Sequence, residues 1–119
     1  MTIREIQNLL DAKLLCGEDK LDAEIAGGCG ADLMSDVLAF VKDRSVLLTG
    51  LVNHHVIRTA EMLDVSCILF VRGKEVPQDL IDLAEEQGMA VLSTEETLYA
   101  SCGKLYAAGL PGSGRKVTA

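Results

Sequence analysis

Polar and glycine residues follow three short apolar runs of this 119-residue chain, at the points where each run ends. The runs are 45–49, 67–71 and 90–92. The candidate site residues at their ends are Thr49, Gly50, Asn53, His54, Arg72, Gly73, Ser93 and Thr94. Backbone donors near helix starts and a guanidinium bind phosphate or carboxylate groups, so the pattern predicts an anion site. The alternative is that these residues only form turns and helix caps.

A helical pattern follows each of the three apolar runs, and strands that alternate with helices indicate parallel βαβ units. We therefore predict an α/β fold of three layers, with a mainly parallel central sheet flanked by helices. The runs that end at Thr49, Val71 and Leu92 should lie side by side and point the same way. Ligands of such sheets bind at the carboxyl ends of the strands, which is where the candidate residues would meet.

Capping signals predict where several helices begin. Thr2 with Glu5, and Ser93 with Glu96, have the spacing of a capping box, and Asn53 is placed to cap a helix that runs to about residue 63. We predict one α/β domain over residues 1–110 and a flexible tail over 111–119, which is rich in glycine and polar residues.

Composition limits the class of partner. The net charge is −7, and an acidic chain without a basic stripe argues against nucleic acid and anionic lipid as partners. No apolar stretch approaches the roughly 20 residues that cross a membrane, and the amino terminus lacks a signal-peptide pattern, so we expect a cytoplasmic protein. With 49% hydrophobic residues and few aromatics, the chain predicts an aliphatic core and a homodimer.

The sequence shows no metal or redox motif. Its four cysteines form no Cys-x-x-Cys pair, and buried thiols are the default interpretation. Cys16 and Cys29 end neighbouring strand candidates, and a metal or iron–sulfur site at these two thiols is the alternative. The glycines of the 27–30 segment fall short of a dinucleotide fingerprint, and we interpret them as a β-bulge or a tight strand exit.

The sequence contains few residues arranged for acid–base catalysis. Asp32 and Asp36 would share one face of a helix over 32–41, where one carboxylate would cap the helix and the other would face water. His54 and His55 are adjacent and point in different directions, unlike a metal-binding pair at i and i+4. An enzyme would need His54 to meet Asp32 or Asp36 over a pocket. We predict no catalytic residues, no metal and no cofactor.

Five segments of the chain resemble the DRTGG domain family. They are 25–38, 46–50, 67–73, 91–94 and 103–110, so the resemblance extends over about residues 1 to 110. The opening, from Thr2 to the strand end at 14–17, is also similar to the N-terminal domain of HPr kinase/phosphorylase. The name-giving residues differ, because Asn53-His54 stands where an Asp-Arg pair is expected and Val71-Arg72-Gly73 where Thr-Gly-Gly is expected.

The resemblance implies an α/β regulatory or assembly module that often self-associates, and it implies no catalysis. Such domains occur alone or as accessory parts of larger proteins. We therefore predict a non-enzymatic regulatory or scaffolding module that senses a small phosphorylated metabolite at the carboxyl edge of the strands. The alternative is a pure interaction module that docks on a metabolic enzyme without a small ligand.

Overall fold

The fold alternates short strands and helices, as the sequence pattern predicts. A computed structural model describes residues 1–41 and 44–113. The helices are α1 (Ile3–Leu9), α2 (Met34–Phe40), α3 (His54–Met62), α4 (Gln78–Glu86) and α5 (Leu98–Ala107). The strands are β1 (Lys13–Cys16), β2 (Gly27–Gly30), β3 (Ser45–Thr49), β4 (Cys67–Phe70) and β5 (Ala90–Ser93). Of these described helices, none is both long and apolar enough to cross a membrane.

The strands form one five-stranded sheet in the order β1-β5-β4-β3-β2. β2, β3, β4 and β5 run parallel to one another, and β1 runs antiparallel to β5 at the edge. Thr49 pairs with Phe70, and Phe70 pairs with Ser93. The prediction that these three strands lie side by side and end at the same edge is confirmed, and so is the mainly parallel α/β class.

Helices cover both faces of the sheet, which gives the three predicted layers. α2, α3 and α4 pack on the face that presents Leu47, Ile68 and Phe70. α1 and α5 pack on the face that presents Val46, Leu48 and Leu69. β3 and β4 are buried along their whole length, and this is why their apolar residues, 46–48 in β3 and 67–70 in β4, are consecutive rather than alternate.

Local capping explains most helix starts. The Thr2–Glu5 capping box is present at α1, and the Asn53 side chain accepts a hydrogen bond from the Val56 N–H at the start of α3. The predicted capping box of Ser93 and Glu96 is wrong. Ser93 is the last residue of β5, and α5 begins five residues later, at Leu98, behind Thr97, whose hydroxyl accepts from the Ala100 N–H.

The glycines of β2 permit close approach rather than a bulge. β2 pairs with β3 in unbroken register, so the β-bulge interpretation is wrong. A Cβ on Gly30 would lie 2.6 Å from the Cys102 Sγ on α5, and one on Gly28 would lie 3.3 Å from Leu110. Glycine therefore lets α5 and the segment after it lie directly on the edge of the sheet.

The segment after α5 runs beside β2. The Gly28 N–H donates to the Pro111 carbonyl, and the Ser113 N–H donates to the Gly28 carbonyl. The prediction of a flexible tail over 111–119 falls mainly on residues 114–119, which lie outside the described residues.

Cys16 and Cys29 do not lie on neighbouring strands, contrary to the prediction. β1 and β2 form opposite edges of the sheet. All four cysteines are free thiols, and burial raises the pKa of the Cys67 thiol to about 12. Within residues 1–41 and 44–113, no three His, Cys, Asp or Glu side chains are grouped to hold a metal ion.

Candidate functional site

The loops that follow the neighbouring strands β4 and β5 leave the sheet on opposite faces. The loop after β4 leads to α4 on one face, and the loop after β5 leads to α5 on the other. Neighbouring loops that leave in opposite directions open a crevice at the carboxyl ends of their strands, and open α/β sheets bind ligands at such switch points. A cleft of about 890 Å³ lies here, and we call it the switch-point cleft. Its lining includes Lys13, Gly73, Lys74, Ser93, Thr94 and Thr97.

Backbone hydrogen bonds tie the two loops together beside the switch-point cleft. The Arg72 N–H donates to the Glu96 carbonyl at 2.8 Å, and the Gly73 N–H donates to the Thr94 carbonyl at 2.9 Å. Arg72 and Gly73 both have positive φ, so the backbone turns sharply there, and glycine is the residue that tolerates this conformation. The wall formed by the two loops is therefore preorganised.

Two lysines contribute to the switch-point cleft from elements distant in sequence. Lys74 follows β4, whereas Lys13 is the first residue of β1 and pairs with Ser93. Lys13 reaches the carboxyl edge of the parallel strands because β1 runs in the opposite direction. The rim also carries four carboxylates, those of Asp11, Glu75, Glu95 and Glu96. The switch-point cleft therefore combines two lysines with four carboxylates in a chain whose net charge is −7.

The amino terminus of α5 also borders the switch-point cleft, since Thr97 and Ala100 line it. The Thr97 hydroxyl caps the Ala100 N–H at 3.1 Å. The first N–H groups of a helix have no partner inside the helix and form the positive end of its dipole. Since the Ala100 N–H is already bonded to Thr97, the first turn of α5 brings the positive end of the helix dipole to the switch-point cleft.

A second polar group, the Asp32 cluster, lies at the ends of β2 and β3. The Asp32 carboxylate accepts from the Gly50 N–H at 2.8 Å and from the Thr49 hydroxyl at 2.9 Å. The hydrogen bond from Gly50 is the largest cause that lowers the pKa of Asp32, and the Thr49 hydroxyl and the charges of Arg72 and Lys74 act in the same direction. The Arg72 Nη2 lies 3.9 Å from Asp32 Oδ2, and the Lys74 ammonium donates to the Gly50 carbonyl.

The structure divides the eight candidate residues among three places. Gly73, Ser93 and Thr94 line the switch-point cleft. Thr49, Gly50 and Arg72 belong to the Asp32 cluster, while Asn53 and His54 stand at the start of α3. Several of their polar groups already have partners. The Thr94 hydroxyl, for example, donates to the Leu10 carbonyl at 2.8 Å.

His54 lies beside the carboxylate of Asp79, which the sequence analysis did not single out. Its Nε2 lies 3.2 Å from Asp79 Oδ2 on α4, and both side chains are more than half exposed. Asp32 is committed to Gly50 and Thr49 instead. His54 and Asp32 therefore make two separate contacts rather than the pair that was one of the two alternatives for an enzyme.

Sequence reasoning missed the role of Asp32. The predicted helix face shared by Asp32 and Asp36 does not form, because α2 begins at Met34 behind Leu33 and Asp32 lies outside it. Leu33 makes no side-chain cap, so neither carboxylate caps the helix. Lys13, Lys74 and Thr97 were also missed. No local sequence signal identifies Asp32, because it reaches Gly50 through the pairing of Gly30 with Leu48, which is a long-range register.

Together these features define an α/β domain with a preorganised cleft at the switch point of its sheet. The chain belongs to the DRTGG domain family, whose model matches residues 5–107. No curated protein is similar enough in sequence to match it.

A solved structure has the same fold. It contains the CBS and DRTGG domains of the regulatory region of Clostridium perfringens pyrophosphatase, complexed with its activator, diadenosine tetraphosphate. The two chains are 16% identical and superpose with a TM-score of 0.70 over 99% of this chain. This chain spans about half of that one, 53% of its length.

Proposed function

We propose that this domain is a non-enzymatic regulatory module that senses a small phosphorylated metabolite in the switch-point cleft. The observation that carries the proposal is the convergence of Lys13, Lys74 and the first turn of α5 on one cleft at the carboxyl edge of the sheet. Of the ligand-contacting residues predicted from sequence, we retain Gly73, Ser93 and Thr94 in the switch-point cleft. The Asp32 cluster, with Thr49, Gly50 and Arg72, positions the neighbouring loop.

The charges of the rim refine the ligand class. Two lysines stand among four carboxylates, so a bare polyanion meets repulsion at the rim. A phosphate group that carries a divalent cation reduces this repulsion, because the cation contacts the carboxylates while the lysines contact phosphate oxygens. The pyrophosphatase region of the same fold is complexed with a dinucleotide tetraphosphate, which supports nucleotides as the first class to test.

A thermal-melting screen tests the proposal. Inorganic phosphate, acetyl phosphate, ATP and diadenosine tetraphosphate are each added with and without Mg²⁺, and Tm is compared with that of the ligand-free chain. A ligand that binds the folded state alone raises Tm as its concentration exceeds Kd. We expect at least one of these compounds to raise Tm, and no rise with any of them would contradict the proposal.

Matched variants locate the site. Lys74→Ala and Lys13→Ala should remove most of the rise in Tm, each measured against its own ligand-free Tm. Lys20→Ala should keep it, because Lys20 lies beside Asp19 near Met89, at the amino-terminal ends of the parallel strands. If Arg72→Ala and Lys74→Ala remove the rise while Lys13→Ala keeps it, the anion binds beside Gly50, where the Lys74 ammonium also lies, and not in the switch-point cleft.

The second candidate function is an interaction module that docks on a metabolic enzyme. It is favoured by the exposed aromatic residues Tyr99 and Tyr106 on α5. In that case no metabolite changes Tm, while affinity capture with the whole chain recovers one specific enzyme. Replacement of both tyrosines by serine would abolish that capture.

The remaining sequence expectations belong to the same proposal. We propose a cytoplasmic homodimer, with the domain ending near residue 110. The similarity of the opening segment to the N-terminal domain of HPr kinase/phosphorylase stays a prediction. Asn53 and His54, which lie at the start of α3 after β3, stay predicted ligand contacts.

A further inference from the structure

Two large aromatic side chains of α5 stand almost wholly in solvent. Tyr99 is 91% exposed and Tyr106 is 73% exposed. They are seven residues apart, about two helical turns, and so lie on one face of the helix. Ser101 and Leu105 are buried on the inner side of α5. An aromatic pair presented in this way is unusual in a chain with 3% aromatic residues.

A shallow groove separates the two tyrosines. It is lined by small residues, including Ala100, Gly103 and Ala107. A Cβ placed on Gly103 would have no atom within 4 Å, so space is open above the helix there. The outer face of α5, namely Tyr99, Gly103, Tyr106 and Ala107, thus offers two projecting rings with a recess between them.

Charge indicates which molecule can cover this face. The chain carries a net charge of −7, and α1, α2, α3 and α4 each contain at least one Asp or Glu. Of the helices that the structure describes, α5 alone contains neither. Its one charged residue, Lys104, is paired with Glu96 at 2.9 Å. Two copies of this acidic chain can therefore approach through α5 without opposing carboxylates from that helix.

Shape points to the same occupant. Gly103 lies close to midway between Tyr99 and Tyr106 along α5. In a twofold-symmetric interface the same patch meets itself, so an antiparallel crossing centred near Gly103 brings each ring onto the small residues of the other copy. We propose that the outer face of α5 is the interface through which two copies of this chain form a dimer. This inference rests on the self-association included in the proposed function.

The dimer interface would adjoin the switch-point cleft. Ala100 borders both the cleft and the groove on α5. The first turn of α5 therefore contributes one side to the ligand and the other side to the second copy.

The test is sedimentation equilibrium of the whole chain over a range of concentrations. Gly103→Glu places a carboxylate at the centre of the interface, where open space accommodates it and glutamate favours the helix. We expect the dimer Kd to rise by at least about tenfold. The matched control is Met62→Glu, which adds the same charge at a 72% exposed position on α3 and should leave Kd unchanged.

The outcomes separate the two proposals. A dimer that Gly103→Glu weakens no more than Met62→Glu does would overturn the assignment of α5. A wild-type chain that stays monomeric at every concentration would overturn the assignment and the proposed self-association together. Neither result bears on ligand sensing, which is read from the ligand-induced rise in Tm of the Gly103→Glu variant, because Gly103 does not line the switch-point cleft.

Discussion

The Asp32 carboxylate accepts a hydrogen bond from the Gly50 N–H at 2.8 Å, across eighteen residues of sequence. The same oxygen accepts from the Thr49 hydroxyl at 2.9 Å. These bonds join the loop after β2 to the loop after β3, next to the chain that carries Arg72 and Lys74. The Asp32 cluster thereby fixes one side of the carboxyl edge of the sheet.

Removing the Asp32 carboxylate should destabilise the fold. Hydrogen bonds to a charged group contribute about 1.5–3 kcal/mol when buried, and we expect about 1 kcal/mol for Asp32→Ala because the side chain is half exposed. Urea unfolding measures the change. Asp36→Ala is the control and should change the free energy of unfolding by less than about 0.5 kcal/mol. Equal losses in the two variants would show that the Asp32 hydrogen bonds contribute nothing specific.

Asp32 should also make stability depend on acid. Its pKa in the folded state is lowered, first by the Gly50 hydrogen bond, from an unfolded value of about 3.9. The stabilisation by the carboxylate is therefore fully present above the unfolded pKa and is lost as the pH falls through the folded pKa. Unfolding free energies of the wild type and Asp32→Asn, measured between pH 6 and the acid limit of folding, should converge at the acid end. A difference that grows as the pH falls would reverse the sign of this account.

Thr97, and not Ser93, should control the start of α5. The Thr97 hydroxyl accepts from the Ala100 N–H, so Thr97→Ala should cost about 1 kcal/mol of stability. Ser93 ends β5 and makes no cap, so Ser93→Ala should cost less. Urea unfolding of the two variants gives the comparison. The reverse ranking would mean that the capping box predicted from sequence forms in solution.

Ser101 should be replaceable by alanine without loss of stability. Its side chain is fully buried, and within the described residues its hydroxyl has no hydrogen-bond partner. Ser101→Ala removes an unsatisfied polar group and raises helix propensity, so we expect stability to rise by about 0.5–1 kcal/mol. Leu105→Ala, on the same inner side of α5, should lower stability by about 2–5 kcal/mol. A drop in Tm for Ser101→Ala would indicate a partner for the hydroxyl in solution.

The sheet was predictable from sequence because its strands carry strong local signals. Ser45–Thr49 contains consecutive apolar residues and has polar residues at its end. The structure gives β3 the same bounds. Fully buried parallel strands produce such runs, since side chains on both faces meet helices. The Asn53 cap and the Thr2–Glu5 capping box were readable for the same reason, because each involves residues only three positions apart.

The start of α5 was misjudged because two structures compete for one segment. Residues 93–97 contain several residues that can cap a helix, and the spacing of Ser93 and Glu96 favours the earlier start. Pairing with Phe70 extends β5 through Ser93, so the long-range strand contact overrides the local signal. The helix then takes its cap from Thr97.

Several contacts of the candidate site depend on the pairing register of strands that are distant in sequence, and the sequence pattern does not specify that register. Asp32 meets Gly50 because β2 and β3 pair in parallel, with Ala31 donating to the Leu48 carbonyl at 3.0 Å. Lys13 joins the switch-point cleft because β1 runs antiparallel, a direction that its short apolar run does not specify. The edge of the sheet was therefore predictable, but the membership of the cleft was not.

Amide mapping by NMR tests ligand sensing in the switch-point cleft most directly. The ¹⁵N-labelled chain is titrated in Mg²⁺ buffer with phosphate, ATP and diadenosine tetraphosphate in turn. We predict that at least one of these ligands moves the amide signals of Gly73, Ser93, Thr94 and Leu98 most, while those of Lys20 and Met89, at the amino-terminal ends of the parallel strands, stay in place. Largest changes at Lys20 and Met89, or no change with any of the three, would contradict the account.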